Sequence, residues 1–350
     1  MSKTKKCKVC GAEVAKSAKR CPQCGAKLKH SFFGILLGIV AVIIVIGIIG
    51  GNSGSKSSST TTKVGEVGSS SSQPAASQAP AQTVFHVGDI LHDGNLDIVY
   101  VASGEYRESN EFMQPKDGYK YIFIKLAFEN TSDSSDAAIS SFSFEAYADG
   151  YACDSYYGGE DDLSATLSAG RSSTGYAYFQ VPTDAKEIEI EYETNWITEK
   201  KITFVYEGDL DSGYTIEKNT TATAGALSVG DTTTSKSLNI SYLNCFADSS
   251  DNPFITPKPG YHYITCEFEF ENVSSSDQAV SFYSFDCYAD GIVCSASYFR
   301  DDAISATLSA GRKARGTVTF EVPDDATTVE VEFLSNLWTS NRVVFDASGY

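Results

Sequence analysis

Histidine is scarce in this chain: four in 350 residues, at His30, His86, His92 and His262. None stands in a nucleophile elbow or an H-E-x-x-H spacing, so the local signatures of a Ser–His triad or a catalytic zinc are missing. Carboxylate pairs for glycoside hydrolysis depend on spatial separation, which sequence does not report. The expectation is a protein that is not an enzyme, with a surface hydrolase as the weakest alternative. A helical apolar period is missing from everything after residue 50, and EF-hand spacing is missing among the acids. Positive charge is also outnumbered over most of the chain. Met1–Ser31 holds nine of the 27 Lys and Arg and one of the 45 Asp and Glu, leaving 18 against 44 for the remainder. So acidic a region repels phosphates, which argues against nucleic acid as its ligand and leaves cations, basic surfaces and neutral glycans.

What is present first is an apolar run, Phe32 to Gly50, of 19 residues without a charge, Asn, Gln or Pro. As a helix it spans roughly 28 Å, close to the ~30 Å hydrocarbon core of a bilayer. A signal peptide has an h-region of only ~7–15 residues and a small-residue cleavage site. Here 31 residues precede the run, GGNSGS follows it, and no lipobox-like cysteine is present. The reading is an uncleaved membrane anchor (32–50). Its basic flank predicts a cytoplasmic N-terminus and an extracellular remainder. Gly34-x-x-x-Gly38 and Gly47-x-x-x-Gly51 have the spacing of helix-dimerisation faces, so a homodimer through this helix is one expectation.

The head (1–31) contains Cys7-Lys-Val-Cys10-Gly11 and Cys21-Pro-Gln-Cys24-Gly25. Two such knuckles bring four thiolates around one Zn²⁺, with the glycines permitting the tight reversals. The predicted metal ligands are therefore Cys7, Cys10, Cys21 and Cys24, holding one structural zinc. So small a piece draws its folding energy from the metal. The segment Lys6–Leu28 resembles the zinc ribbons at the N-termini of many bacterial membrane proteins. Its basic residues also satisfy the positive-inside rule, so a structural or protein-contacting ribbon is preferred to a nucleic-acid reader. Residues 51–82 are rich in Ser, Thr, Gly, Pro and Gln and read as a disordered spacer with no site.

The rest is a tandem duplication. Pro115-Lys-Asp-Gly118-Tyr119 matches Pro257-Lys-Pro-Gly260-Tyr261, and Phe128-Glu129-Asn130 matches Phe270-Glu271-Asn272, both at an offset of 142. After one deletion, Tyr147-Ala-Asp-Gly150 matches Tyr288-Ala-Asp-Gly291, and Ser164–Arg171 is identical to Ser305–Arg312, at 141. The copies are bounded as 83–207 and 226–347, with a linker (208–225) lacking a periodic apolar pattern. Ile122, Ile124, Leu126 and Phe128 alternate with Tyr121, Phe123, Lys125 and Ala127. Ile188, Ile190 and Tyr192 alternate with glutamates, as do Val329, Val331 and Phe333. This is the period of strands with one buried and one solvated face. Asp149-Gly150 and Asp290-Gly291 read as two-residue hairpin turns. About seven short strands per copy predict a mostly β fold of two tandem immunoglobulin-like β-sandwiches, plus the ribbon and one transmembrane helix.

In each copy the motifs V-G-D, N-x-F, P-K-x-G-Y, F-E-N, Y-A-D-G, L-S-A-G-R and V-P-x-D-A occur in that order. Their order resembles a domain-of-unknown-function family of extracellular immunoglobulin-like modules of Gram-positive bacteria. Such modules stand in lipoproteins or behind zinc ribbons and are similar in fold to a secreted mycobacterial immunogenic antigen. The resemblance implies a fold and brings no catalytic residues. The layout is also similar to zinc-ribbon membrane proteins associated with envelope stress and glycopeptide resistance.

Five cysteines lie beyond the anchor. Counting outward from the Asp290-Gly291 turn sets Cys287 opposite Cys294, a register that permits a cross-strand disulfide. Cys153 has Ala146 opposite it, Cys266 reads as a core residue, and no register argument joins Cys245 to Cys266. The acids Glu160-Asp161-Asp162, Asp301-Asp302, Asp248 and Asp251 cluster in loops. Calcium there is considered, but solvated loop acids are the preferred reading. All 20 tyrosines follow residue 99. Tyr156, Tyr157, Tyr298 and Phe299 sit in equivalent loops, where aromatics suit glycan or peptide contact but equally sandwich cores, the preferred reading. Trp196 and Trp338 read as packing residues. The expected function is a membrane-anchored surface protein whose ectodomain binds an extracellular protein or glycan. The alternative is an envelope-stress sensor signalling to the ribbon.

Overall fold

The computed structural model describes residues 4–6, 13–15, 61–68, 84–195, 200–336 and 341–350. Cys7, Cys10, Cys21, Cys24, the run 32–50, Trp196 and Trp338 lie outside them. The chain divides into two units, Met1–Ser53 and Gly54–Tyr350. In the first, Thr4–Lys6 and Glu13–Ala15 form an antiparallel pair with Lys6 opposite Glu13. Among the described residues no helix is long and apolar enough to cross a membrane.

The second unit holds two copies of one ten-strand pattern. The first copy contains β1 (Asp89–Asp93), β2 (Leu96–Tyr106), β3 (Tyr119–Asn130), β4 (Ala137–Ile139), β5 (Phe144–Ala148), β6 (Asp154–Tyr156), β7 (Ala165–Leu167), β8 (Ser172–Pro182), β9 (Ile188–Asn195) and β10 (Lys200–Val205). The second contains β11 (Thr232–Ser235), β12 (Leu238–Asp248), β13 (Tyr261–Asn272), β14 (Gln278–Ser281), β15 (Phe285–Ala289), β16 (Ile292–Ser297), β17 (Ser305–Leu308), β18 (Lys313–Pro323), β19 (Val329–Asn336) and β20 (Asn341–Asp346). Ten strands replace the expected seven because pieces as short as β4, β6 and β7 carry no readable alternation. In the first copy one sheet runs β1–β2–β3–β8–β6 and the other β5–β9–β10, the latter edged by two-residue strands, Tyr151–Ala152 on β5 and Val84–Phe85 on β10. The second copy repeats this as β11–β12–β13–β18–β16 and β15–β19–β20. Strand β16 joins both sheets, pairing Ile292–Cys294 with β15 and Ser295–Ser297 with β18.

The alternation seen in sequence is the core. Ile122, Ile124, Leu126 and Phe128 are buried beneath Ile188, Ile190 and Tyr192 of the facing sheet. The second core repeats this with Ile264, Cys266, Phe268 and Phe270 against Val329, Val331 and Phe333. Both Asp-Gly turns have positive φ at both residues, 49° and 82° in each copy, a geometry glycine adopts without strain. The asparagines of F-E-N are structural. Buried Asn130 donates to the Ser135 and Leu167 carbonyls (2.7 and 2.9 Å), and Asn272 to those of Ser276 and Leu308 (both 2.7 Å).

Three segments depart from the sequence reading. Thr62–Glu66, within the stretch expected to be a disordered spacer, pairs antiparallel with β1. Backbone bonds at an open sheet edge, with Lys63 at 2.5 Å from Asp89, hold a segment that has almost no apolar pattern. The linker also binds the sandwich. Leu210–Asp211 pairs with β2, while Tyr214 and Ile216 pack on Val99, Val101 and Ala127. Lastly, Glu330 and Glu332, expected on a solvated face like Glu189 and Glu191, are buried.

The cause is the junction between the copies. The outer face of β15–β19–β20 lies against the first repeat. Arg171 Nη2 is 2.5 Å from Glu330 and 2.8 Å from Glu332. The Thr223 amide donates to Glu330 at 2.6 Å. Arg342 joins Asp286 (2.7 Å), Asp136 of the first repeat (3.3 Å) and Glu332 (3.4 Å). Tyr288 enters the first repeat's core cluster and donates its hydroxyl to the Thr166 carbonyl at 2.9 Å. Its ring lies 4.6 Å beneath the Arg171 guanidinium. Ser172 and Ile292 form a parallel bridge beside it.

Candidate binding grooves

Each repeat has a cleft against β8 or β18, under the loop that leaves β6 or β16. Both clefts are shallow and open to solvent. Each lining residue of one has its counterpart 141 positions on in the other: Ser141 and Phe282, Tyr157 and Tyr298, Asp162 and Ala303, Phe179 and Phe320 are examples. The site was therefore duplicated with the fold, and its walls have since diverged. Tyr156, Gly159, Tyr176 and Tyr178 of the first become Ser297, Arg300, Thr317 and Thr319 of the second.

The first groove is built of tyrosines. Tyr121 and Tyr156 stack at 4.0 Å, Tyr106 meets Tyr178 at 4.8 Å, and Tyr176 lies 5.7 Å from Tyr178. The hydroxyls of Tyr106, Tyr121, Tyr156 and Tyr178 are spent inside the protein. Tyr156 and Tyr106 donate to Glu108, and Tyr178 donates to the Glu160 carbonyl at 2.9 Å. Burial, together with Glu108, pushes the Tyr156 hydroxyl pKa up, and the Tyr156 hydrogen bond pulls the Glu108 carboxyl down. Tyr156 is thus a supporting residue.

Charge replaces aromatics in the second groove. Arg300 forks onto Asp302 at 2.8 and 2.9 Å and reaches Asp248 at 2.9 Å. These bonds from Arg300 hold the Asp302 carboxyl at a pKa of about 2. At Asp248 burial pulls the other way but is outweighed by bonds from Thr265 and Arg300, so its pKa is lowered. The Tyr156–Glu108 bond in one copy and the Arg300–Asp248 pair in the other each tie the end of β2 or β12 to the end of β6 or β16. Three of the clustered acids are thus engaged by the protein's own cations, Asp302 and Asp248 by Arg300 and Asp161 by Lys258 of the second repeat. Among the described residues no group of three or more His, Cys, Asp or Glu is arranged to hold a metal ion.

The rims present rings to water at matching positions. Tyr157 and Tyr298 are each 60 % exposed, so they are not core residues as the sequence reading preferred. Phe299 does pack, 5.1 Å from Tyr263. Two further pairs escaped the sequence reading. Phe142 and Tyr283, in the turns Ser141–Ser143 and Phe282–Ser284, are 70 % and 78 % exposed. Phe112 and Phe254, the last residues of the N-x-F motifs, are 89 % and 93 % exposed. In both copies the asparagine accepts the phenylalanine amide at 3.0 Å, an Asx turn that lifts the ring outward. The signal was in plain view: an aromatic inside a turn motif kept in both copies. The histidines stand apart from these rims, His86 beside Glu207, His92 beside Asp97 and His262 beside Asp324.

Of the cysteines, Cys287 lies opposite Cys294 as counted, and the Cys153 amide donates to the Ala146 carbonyl at 2.8 Å. None of the five described cysteines is bonded to another in this structure.

Fold and site together define a tandem β-sandwich protein with a duplicated, aromatic-rimmed cleft and an N-terminal ribbon sequence. The chain belongs to the family described as Domain of unknown function (DUF4352), whose model matches residues 85–202 and 227–343. A zinc-ribbon domain model matches residues 6–28. Among curated proteins none matches the chain. Solved structures to which it is similar at low identity include the following three. The ycdA protein of Bacillus subtilis is 12 % identical over 33 % of this chain and 37 % of its own, with a TM-score of 0.30. MPT63, a secreted protein of Mycobacterium tuberculosis, is 14 % identical over 35 % of this chain and 99 % of its own, TM-score 0.28. A β-sandwich protein of Clostridium difficile is 13 % identical over 36 % and 97 %, TM-score 0.24.

Proposed function

We propose that this is a single-pass bacterial surface protein whose two immunoglobulin-like modules bind an extracellular or cell-wall ligand through their aromatic rims. The carrying observation is the triple coincidence of exposed rings: Phe112 with Phe254, Phe142 with Tyr283 and Tyr157 with Tyr298. Groove walls that diverged while the outward rings stayed aromatic suit a contact surface. Rings left in water regain apolar burial on contact and offer faces for a sugar or peptide. The charge switch across residues 32–50 supports a cytoplasmic head and an external ectodomain.

The paired strands Thr4–Lys6 and Glu13–Ala15 fit a zinc ribbon, because their connection contains the Cys7 and Cys10 knuckle. Cys7, Cys10, Cys21 and Cys24 would hold the ion as thiolates, and bound zinc supplies the cross-link that so small a core lacks.

The test is capture of wall glycans and envelope proteins by purified residues 54–350, with and without Ca²⁺, repeated with Phe112→Ala, Phe254→Ala and the double variant. Exposed substitutions leave stability within about 0.5 kcal/mol, whereas loss of a contact ring weakens capture by about tenfold or more. A double variant that captures like the parent defeats the proposal. Should the binding survive deletion of Cys7–Cys24 while an envelope-stress response vanishes, the ectodomain is a sensor's input.

A further inference from the structure

Four of the five described cysteines belong to the second repeat, and they stand as two facing pairs. Cys245 of β12 is directly opposite Cys266 of β13, with their sulfurs 3.1 Å apart. Cys287 of β15 is directly opposite Cys294 of β16. Facing residues of antiparallel neighbours have the Cα separation a disulfide needs, about 4.5–5.5 Å. Cys266 and Cys287 are fully buried in the same core, one in each sheet, while Cys245 and Cys294 pack at its margin.

The Cys245 placement depends on a bulge. Leu238, Ile240 and Tyr242 point inward, and strict alternation would send Asn244 in and Cys245 out. An extra residue, Leu243, breaks the register between Tyr242 and Asn244, so Asn244 is exposed and Cys245 turns onto the Cys266 side. The first repeat has the same bulge, between Tyr100 and Ala102, yet holds Ser103 opposite Ile124. The counterparts of Cys287 and Cys294 there are Ala146 and Cys153. Only one of the four thiols is found in the first copy, and it has no partner.

We propose that the second repeat is closed by two cross-strand disulfides, Cys245–Cys266 in one sheet and Cys287–Cys294 between the other sheet and β16. The proposal rests on export of residues 54–350, since the oxidant is an extracytoplasmic disulfide: that of an exported thiol oxidase or a low-molecular-weight disulfide. In the first pair the Cys245 thiolate attacks one sulfur of that disulfide and expels the other as a thiolate. Cys266, as thiolate, then attacks the Cys245 sulfur of the mixed disulfide and expels the second. Two protein thiols lose two electrons and two protons, and the oxidant leaves as two thiols; the second pair follows the same balance. The order of attack is set by access. Cys245 is partly exposed, and its hydrogen bond with Cys266 holds its thiol pKa down, whereas burial pushes Cys266 up.

The purified full-length chain, first reduced, is equilibrated with reduced and oxidised glutathione, quenched in acid and alkylated in denaturant, so that burial protects nothing. It is then digested with chymotrypsin, which cuts at Phe246, Tyr261 and Tyr263 between the first pair and at Tyr288 between the second. The expected result is two linked peptide pairs, with Cys153 alkylated throughout. Cys245→Ser, which installs the residue of the first repeat, should free Cys266 and leave Cys287–Cys294 linked. Free thiols in oxidising buffer, or any other connectivity, overturns the proposal. Export is read separately, by labelling intact cells with a membrane-impermeant amine reagent. A labelled ectodomain whose four cysteines are free in the cell overturns the disulfides and leaves export standing. An unlabelled ectodomain overturns export, and the glutathione experiment still decides the pairing.

Discussion

The octapeptide SATLSAGR occurs in both repeats, at Ser164–Arg171 and Ser305–Arg312, and the two copies end differently. Arg171 is buried between Glu330 and Glu332, while Arg312 is exposed to solvent. The same holds for Y-A-D-G: Tyr288 is fully buried in its neighbour's core, while Tyr147 donates to Glu145 on an accessible face. Identical local sequence therefore gives identical backbone but no fixed burial. What decides is whether another sheet arrives, and in this chain the second repeat lays its outer face on the first.

The sharpest way to break that comparison is to remove the arginine from both octapeptides. Arg171→Ala takes the closest cation from two buried carboxylates and should cost about 3 kcal/mol in denaturant unfolding. Arg312→Ala should stay within about 0.5 kcal/mol, and equal losses would refute the asymmetric junction. Tyr288→Phe keeps the ring under Arg171 but leaves the Thr166 carbonyl unpaired, for a loss of about 1 kcal/mol. Tyr147→Phe, measured by the same unfolding curve, should lie within error of the parent. The smallest effect is in acid. Asp302 has its pKa depressed to about 2, so its pairing with Arg300 stabilises the fold above the unfolded value near 3.8 and is lost as pH falls through about 2. The carboxylate is half exposed, which limits the contribution to under about 1 kcal/mol. Arg300→Gly, copying Gly159 of the first repeat, should flatten unfolding free energy between pH 4 and pH 2. An unchanged slope would show the pair to be idle.

The duplication, the strand faces and both Asp-Gly turns were legible because a period of two and a positive-φ turn are local properties. So was the opposition of Cys287 and Cys294, which needs only a count from the turn. Cys245 and Cys266 were not, because the bulge at Leu243 shifts the count by one and nothing in the residue type announces it. Glu330 and Glu332 read as solvated, since their alternation with Val329, Val331 and Phe333 is that of a half-wet strand and the covering Arg171 lies 159 and 161 residues away. The grooves were half legible. Their loops were marked by clustered aromatics and acids, but which rings face water depends on turns such as Asn110–Phe112.

The strand Thr62–Glu66 has a consequence for neighbouring molecules. Without it, β1 would offer its free backbone amides and carbonyls to any extended chain, including the same edge of another copy. Where many copies crowd one surface, that is an invitation to polymerise. The second repeat solves the matter by other means, ending its sheet on β11, four residues of Thr and Ser whose side chains bond back to Ser241 and Asn239. One edge of this sheet ends on a five-residue strand broken by a register shift between Lys63 and Gly65, the other on a short polar one, and both features disfavour pairing with a further chain.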